Sequence, residues 1–391
     1  MKEIMTNYYI EAKTAEQTGK KVAWITSGGP VEPLIAMDVI PVYPENHGAM
    51  IGASKMGVDL CEKAEQMGYS RDLCSYAMAD IACAPINGGP IGGLPRPDML
   101  VCCNNICGTV LKWYEIQARY FNVPLFILDT PICHTDFTKE AKDYVVRQLG
   151  EYFKFIEANT GKKFDFDRLE DVGKLSLEGQ RMWQAVLDTT LNRPSPMSAF
   201  DAFIHLALIV TLRGTQVTVD YYKTLLDEMN ERVKNGISAV PEERYRLLWD
   251  NIPVWFRTRW LSEKFASLGA CLVADTYTSS WSGMMTYIDA ENFMDSLAET
   301  YTRIYLNIGI DEMALNVLAM IEKYDVDGVV LHSNRSCKPY SLGQYDIQRI
   351  IQEKAGLPTL MIEADMVDER SFSESQIETR IDAFMEVVAS T

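Results

Sequence analysis

The stretch 97–109 constrains the fold of this chain more than any other. Its apolar residues are typical of a short buried strand, and a polar turn with a cysteine and a glycine follows them. An amphipathic segment begins at once and runs over about residues 110–120. Strand, tight turn and helix are half of a βαβ unit, and ligands of open α/β sheets bind where the strands end. The three cysteines of this stretch suggest a soft metal or a redox centre there.

Strands and helices alternate through roughly the first 130 residues, which indicates a mostly parallel α/β sheet. Helical periodicity dominates from residue 137 to residue 268, with no good strand candidate, and the α/β character returns at residue 269. We therefore predict an α/β fold of two Rossmann-like parallel-sheet lobes with a helical middle region. The predicted domains are an N-terminal lobe over residues 1–136, a helical region over 137–268 and a C-terminal lobe over 269–391.

Composition excludes several classes of function. A net charge of −17 argues against nucleic-acid binding, because a surface that binds phosphates needs a basic stripe. No run of about 18 apolar residues is present, and the polar N-terminus lacks a signal sequence, so we expect no membrane span. Nine cysteines without a signal fit a reducing cytoplasm, where thiols are buried or bind metals. The presence of only four histidines weakens a mononuclear zinc or copper interpretation.

Three of the cysteines share one local context. Cys74, Cys107 and Cys337 each lie near the predicted start of a helix. At that position the helix dipole and free N–H groups lower the pKa of a thiol and stabilise an anionic centre. Such thiolates suit an iron–sulfur cluster, but their spacing matches no ferredoxin sequence, so the residues alone leave open whether they are ligands or small buried hydrophobes. The other cysteines are expected to be packing residues: Cys61, Cys83, Cys102, Cys103, Cys133 and Cys271.

Each of the three cysteines lies in a distinctive element. These elements are DLCSY at 72–76, NNICG at 104–108 and NRSCKPYS at 334–341. They resemble the elements of the 2-hydroxyacyl-CoA dehydratase and benzoyl-CoA reductase family. SGGPVE at 27–32, IEAD at 362–365 and TRIDAF at 379–384 are similar to the same family. The resemblance covers about residues 20–388, and it is most specific in the cysteine elements and vaguest in the helical middle.

The resemblance implies a heterodimer of two homologous subunits, each with a 4Fe–4S cluster. In the substrate-bearing subunit, three cysteines hold the cluster and one iron stays open for the thioester carbonyl of an acyl-CoA. Here the ligands would be Cys74, Cys107 and Cys337. The active-site serine and glutamate of the family correspond to Ser27 and Glu45, at intervals that fit the substrate-bearing subunit. A separate activator, a cluster-carrying ATPase, would inject an electron by ATP hydrolysis.

The implied reaction removes water from an (R)-2-hydroxyacyl-CoA and gives an enoyl-CoA. Ordinary elimination is blocked, because the β-proton of the thioester is very weakly acidic. One electron on the carbonyl gives a ketyl radical anion that expels the 2-hydroxyl group, and the β-proton then becomes acidic enough for a modest base. Glu45 would move a proton, and Ser27 would hydrogen-bond the carbonyl or the leaving hydroxyl.

Two alternatives stay open within the family: a benzoyl-CoA-reductase-type subunit that reduces an aromatic thioester, and a non-substrate subunit that relays electrons. The acyl group also stays open among lactoyl, aryl-lactoyl, branched and dicarboxylic chains. His47 near Glu45 and His332 near Cys337 are weaker candidates for the site. Arg335 and Lys338 flank Cys337 and would either neutralise cluster charge or form a solvated face.

Overall fold

Two parallel four-stranded sheets organise the computed structural model, which describes residues 1–282, 288–289 and 291–391. The first contains β1 (Lys21–Ile25), β2 (Val39–Val42), β3 (Met99–Cys103) and β4 (Leu125–Leu128), in the order β2-β1-β3-β4. The second contains β5 (Tyr245–Asp250), β6 (Ala270–Asp275), β7 (Gly328–Asn334) and β8 (Thr359–Ala364), in the order β6-β5-β7-β8. All neighbouring strands are parallel, and both sheets share one topology. The predicted α/β class with two parallel-sheet lobes is confirmed.

The central strands are apolar because helices cover both of their faces. Strand β3 is buried along its whole length. Successive side chains of a strand point to opposite faces, so Cys102 packs into one hydrophobic cluster and Cys103 into another. Both are fully buried, which confirms the expectation that this adjacent pair serves packing. The remaining cysteines that were expected to be buried are also buried: Cys61, Cys83, Cys133 and Cys271.

Strand β5 corrects the prediction that residues 137–268 contain no strand. It lies in the middle of the second sheet and pairs with both β6 and β7. Its short sequence, YRLLWD, is ambiguous between helix and strand, and an arginine interrupts its apolar run. Arg246 is nevertheless only 1% exposed, because Glu243 pairs with it at 2.8 Å and the carbonyl oxygen of Thr190 accepts from it at 2.6 Å. The division into three domains at residues 136 and 268 stays a prediction.

Helices surround both sheets. Helix α7 (Gly108–Phe121) packs on β3 and α8 (Lys139–Thr160) packs on β4. Helix α13 (Thr258–Ser267) packs on β6 and α19 (Glu374–Ser390) packs on β8. Among the described residues, no helix has the length and apolar character needed to cross a membrane. In addition there are short 3₁₀ turns at Ala84–Ile86, Thr189–Leu191, Trp255–Arg257, Tyr305–Asn307 and Glu369–Ser371. Within the described residues the helices are α1 (Lys2–Lys13), α2 (Ala15–Thr18), α3 (Glu32–Ala36), α4 (Pro44–Ala53), α5 (Gly57–Gln66), α6 (Ser75–Cys83), α7 (Gly108–Phe121), α8 (Lys139–Thr160), α9 (Phe166–Asp188), α10 (Ala199–His205), α11 (Ala207–Thr211), α12 (Gln216–Lys234), α13 (Thr258–Ser267), α14 (Thr276–Ser279), α15 (Phe293–Thr302), α16 (Ile310–Tyr324), α17 (Lys338–Ser341), α18 (Gln344–Ala355) and α19 (Glu374–Ser390).

The strand order of each sheet creates a crevice at the carboxyl ends of two strands. The order reverses between β1 and β3 in the first sheet and between β5 and β7 in the second. Open α/β sheets bind ligands at such points, because the following loops diverge to opposite faces there. The two lobes meet near these ends, where the hydroxyls of Ser75 and Ser336 share a hydrogen bond of 3.1 Å. Both crevices therefore open into the same region of the molecule.

Candidate active site

A cavity of about 150 Å³ lies where the two crevices meet. The first sheet contributes Ser27, which follows β1, and Cys107, which follows β3. The second sheet contributes Ile252, which follows β5, and Cys337, which follows β7. Cys74, just before α6, also lines the cavity. The structure therefore brings the three cysteines of the sequence prediction into one place with Ser27.

Each of the three cysteines immediately precedes a helix, as the sequence predicts. Cys74 precedes α6, Cys107 precedes α7 and Cys337 precedes α17, and all three are partly buried. Free N–H groups of the first helical turns point towards the sulfur atoms, and their hydrogen bonds lower the pKa of each thiol. These positions supply soft donors that are supported by backbone dipoles.

The expectation that these thiols have lowered pKa values is wrong for the free side chains. Burial outweighs the N–H groups and raises the pKa of Cys74 well above its ordinary value, raises that of Cys107, and raises that of Cys337 to about 12. The thiols also oppose each other's ionisation, since Cys107 raises the pKa of both other cysteines. Thiolates in this arrangement need the positive charge of bound metal to be stable.

Cys74, Cys107 and Cys337 are donors of the soft kind that suits an iron–sulfur cluster. Among the described residues, no group of three or more His, Cys, Asp or Glu side chains is arranged to hold one ion. Cys74, Cys107 and Cys337 line one mainly apolar cavity. Soft thiolate ligands and surrounding N–H donors are what iron–sulfur clusters use. The residues present therefore fit the cluster that the family resemblance implies.

Glu45, the second residue of α4, lies beside Ser27 in the cavity wall. Its Oε1 atom accepts from the backbone N–H of Ser27 at 3.1 Å and from the Ser27 hydroxyl at 3.2 Å. The hydroxyl of Tyr114 donates to its Oε2 atom at 3.2 Å. Burial raises the pKa of Glu45 to about 7, despite these hydrogen bonds, which lower it. A carboxyl with such a pKa can both accept and return a proton near neutral pH.

The turn after Ser27 is held by contacts from both halves of the chain. The side-chain amide of Asn105 donates to the carbonyl oxygens of Gly28 at 2.7 Å and of Tyr301 at 2.6 Å. A Cβ atom at Gly28 would lie 3.1 Å from the Ile304 side chain, so glycine permits this close approach. The position of Ser27 therefore depends on residues that are distant in sequence.

A buried ion pair lies behind the same turn. Arg213 Nε is 3.5 Å from Glu32 Oε1, and the two side chains are 1% and 0% exposed. The hydroxyl of Tyr301 donates to both carboxylate oxygens of Glu32, at 2.9 and 2.7 Å. Arg213 also donates to the carbonyl oxygen of Gly29 at 3.1 Å. Glu32 is the last residue of the motif that begins at Ser27, and its carboxylate anchors the motif to the helical region.

Replacement of Arg213 by methionine is expected to lower the free energy of unfolding by about 3–5 kcal/mol, because the Glu32 carboxylate then stays buried without its cation. Urea denaturation followed by far-UV circular dichroism measures the loss. The control Arg259→Met removes a cation that is 91% exposed, and is expected to cost at most about 0.5 kcal/mol. Equal urea midpoints for Arg213→Met and Arg259→Met would show that the buried ion pair contributes nothing to the free energy of unfolding.

The weaker sequence candidates do not line the cavity. His47 is fully buried, with Nδ1 3.7 Å from Asp80 Oδ1, and it faces a separate small cavity. His332 bonds the carbonyl oxygen of Ile252 through Nδ1 at 2.5 Å, and burial lowers its pKa to about 4, so it is neutral. Arg335 and Lys338 are exposed, which agrees with the solvated-face interpretation.

The sequence prediction did not include the aromatic part of the wall. Among the residues that the structure describes, seven aromatic side chains line the cavity, and they come from separate helices and turns in both halves of the chain. Neither spacing nor periodicity marks them, because each reads locally as an ordinary core residue. They are Tyr76, Trp113, Tyr277, Trp281, Tyr301, Tyr305 and Tyr340.

Fold and site together define a two-lobed parallel α/β protein with a three-cysteine cavity between the switch points of its sheets. The family model of the 2-hydroxyglutaryl-CoA dehydratase D-component matches residues 26–388. The chain is 36% identical over 389 residues to the (R)-2-hydroxyisocaproyl-CoA dehydratase alpha subunit of Clostridioides difficile, covering 99% of this chain and 94% of that protein. It is 35% identical over 392 residues to the (R)-phenyllactyl-CoA dehydratase alpha subunit of Clostridium sporogenes, covering 100% and 95%.

A reductase is also among the relatives: a subunit of the benzoyl-CoA reductase of Thauera aromatica is 30% identical over 407 residues, covering 99% of this chain and 93% of that protein. The chain belongs to the 2-hydroxyglutaryl-CoA dehydratase D-component family. The family resemblance inferred from the cysteine elements is confirmed, and dehydratases, which are hydro-lyases, are prominent among its members.

Proposed function

We propose that this chain is the cluster-bearing, substrate-binding subunit of an ATP-activated (R)-2-hydroxyacyl-CoA dehydratase. One observation carries the proposal: a single cavity contains Cys74, Cys107 and Cys337 together with Ser27 and Glu45. The names of the dehydratase alpha subunits that are 34–36% identical to the chain support the same reaction. The product would be an enoyl-CoA, formed by loss of the 2-hydroxyl group and a β-proton through a ketyl radical of the substrate.

Cys74, Cys107 and Cys337 would hold a 4Fe–4S cluster. When bound, the cluster would supply one-electron chemistry and an open Lewis-acidic iron for the thioester carbonyl. Ser27 would donate a hydrogen bond to the carbonyl or to the departing hydroxyl; its position in the cavity wall beside Glu45 supports this role. Glu45, with a pKa of about 7, would accept the β-proton and pass it to the departing hydroxide, which leaves as water. The apolar walls would exclude bulk water from these steps.

Two partners belong to this proposal. The relatives named as alpha subunits support a homologous second subunit in a heterodimer. An ATP-dependent iron–sulfur activator would deliver the electron. A cytoplasmic location also belongs to the proposal, since all nine cysteines are free thiols.

The reaction is tested with the reduced complex of this chain and its second subunit, activated anaerobically with the activator and ATP. We expect (R)-2-hydroxyacyl-CoA thioesters to lose one water, measured by mass spectrometry, and benzoyl-CoA to stay unchanged. The matched control omits ATP, and no thioester should then react. Reduction of benzoyl-CoA without any loss of water would favour the reductase alternative, to which the relative from Thauera aromatica belongs.

The electron-relay alternative is tested on the unactivated chain. An acyl-CoA that reaches the open iron is expected to change the EPR spectrum of the reduced cluster, whereas CoA alone should not. An unchanged spectrum at saturating acyl-CoA would assign substrate binding to the other subunit.

A further inference from the structure

The part of the cavity wall that is not formed by Ser27, Glu45 or the cysteines is almost entirely apolar. Two segments form much of it: 277–281, which begins within α14, and 301–306, which begins in the last turn of α15. They contribute Tyr277 and Trp281 from the first segment and Ile304, Tyr305 and Leu306 from the second. Apart from the tyrosines, the further polar groups of this part of the wall, among the described residues, are the hydroxyls of Thr109 and Ser280 and the indole N–H groups of Trp113 and Trp281. A ligand group that enters this part of the cavity meets mainly rings and aliphatic side chains.

The hydroxyl groups of Tyr76, Tyr301 and Tyr340 form hydrogen bonds within the protein. Tyr301 donates to Glu32 at 2.7 Å, and the Tyr340 hydroxyl shares a hydrogen bond of 2.6 Å with the Thr276 hydroxyl. The Tyr76 hydroxyl accepts from the indole N–H of Trp255. Because these three hydroxyls have partners within the protein, the tyrosines contribute mainly ring surface to the wall.

Positive charge is absent from the wall among the residues that the structure describes. None of the described lining residues is Lys, Arg or His, and the sequence at 283–287 and 290 contains no such residue either. Arg213 packs over the rings of Trp281 and Tyr301, at 5.3 and 5.8 Å from their centroids, but does not line the cavity. Its charge is compensated by Glu32. The charged form of Glu45 would repel a second carboxylate in the cavity.

We propose that the substrate of this site carries an uncharged, apolar acyl side chain, branched aliphatic or aromatic, and not a second carboxylate. The proposal rests on the proposed function, since it concerns the acyl group of the same thioester. A carboxylate in this wall would lose its hydration without gaining a cation in exchange, whereas an apolar group gains from leaving water. Among the acyl groups that the sequence leaves open, the dicarboxylic chain is therefore disfavoured.

The test measures binding to the unactivated complex of this chain and its second subunit, which binds thioesters without turnover. The probes are (R)-2-hydroxy-4-methylpentanoyl-CoA, (R)-2-hydroxyglutaryl-CoA and CoA alone, and the signal is the fluorescence of the wall tryptophans, Trp113 and Trp281. We expect the branched thioester to bind on the order of 100-fold more tightly than the dicarboxylic one, because an unpaired buried carboxylate is costly. Equal affinities would overturn this proposal and leave the dehydratase function standing. Binding of both thioesters no better than CoA would overturn the proposed function and this proposal with it.

A change of specificity in a variant provides a second measurement. Leu306→Arg places a cation in the wall and is expected to narrow the ratio of the two affinities by at least about tenfold. The matched control Leu315→Arg, at a position on α16 that is 57% exposed, should leave the ratio unchanged. A thermal melt of both variants checks their folding, and the wild-type ratio tests the proposal even where Leu306→Arg fails to fold. A folded Leu306→Arg protein with the wild-type ratio would show that this wall does not contact the acyl side chain.

Discussion

Replacement of any one of Cys74, Cys107 and Cys337 by alanine is expected to remove the cluster from the chain. Anaerobically prepared wild-type protein should be brown and contain about four iron atoms per chain, as a 4Fe–4S cluster requires. Each variant would lose one of the three proposed cluster ligands that line the cavity, and the remaining two would hold a cluster with an open position too weakly to retain it. Iron content and visible absorbance measure the loss, and dehydration by the activated complex should fall to background.

Cys271→Ala is the matched control for these variants. Cys271 lies in β6, is fully buried and does not line the cavity, so its removal should leave the iron content unchanged. Wild-type iron content in any of the three single variants would refute the ligand assignment for that cysteine. Wild-type protein that contains zinc and no iron would overturn the radical chemistry altogether.

Glu45→Gln is expected to lower kcat by a factor on the order of 10²–10⁴, the usual contribution of a positioned general base. Burial raises the pKa of this carboxyl to about 7, and only its deprotonated form accepts a proton. The wild-type kcat should therefore increase as the pH rises through about 7 and become constant above it. The variant should lack this pH-dependent increase, which steady-state kinetics of the activated complex between about pH 5.5 and 8.5 would show.

Stability provides an independent measurement on the same variant. The pKa of Glu45 rises from an ordinary value of 4.5 to about 7 on folding, so the folded state favours the protonated form. The contribution of the protonated Glu45 side chain to the free energy of unfolding is present below pH 4.5 and is lost as the pH rises through about 7. Above that pH, glutamine avoids the burial of a charge and is expected to raise the free energy of unfolding by up to ~3 kcal/mol. The control Glu263→Gln, at a side chain that is 64% exposed, should change neither kcat nor stability measurably. A folded Glu45→Gln enzyme with wild-type kcat and pH profile would exclude Glu45 as the proton acceptor.

The repeated sheet topology explains how one chain assembles a site from residues so far apart. Each sheet has its own switch point, where polar or reactive residues can follow buried strands without disturbing the core. Ser27 and Cys107 come from the first switch point and Cys337 comes from the second. The hydrogen bond between Ser75 and Ser336 then joins the residues next to Cys74 and Cys337 across the two lobes.

The local features of this protein could be predicted from its sequence. Strand β3, the turn with Cys107 and the start of α7 were predicted correctly, because strands and helices each have a characteristic spacing of apolar residues within a short stretch of chain. The same holds for the position of each of the three cysteines before a helix. Their elements, together with the motif that begins at Ser27, were also sufficient to indicate the family.

Properties that depend on burial and on contacts between distant residues could be known only once the chain was folded. Strand β5 can be a central strand because Arg246 donates to the buried carbonyl oxygens of Thr190 and Tyr324, which are far from it in sequence. The thiols acquired raised pKa values because the lobes enclose them, and this desolvation outweighs the local N–H groups that the sequence predicts. The apolar wall is likewise assembled from side chains that share no local pattern. Burial is a property of the assembled chain, and the electrostatics and specificity of the site follow from it.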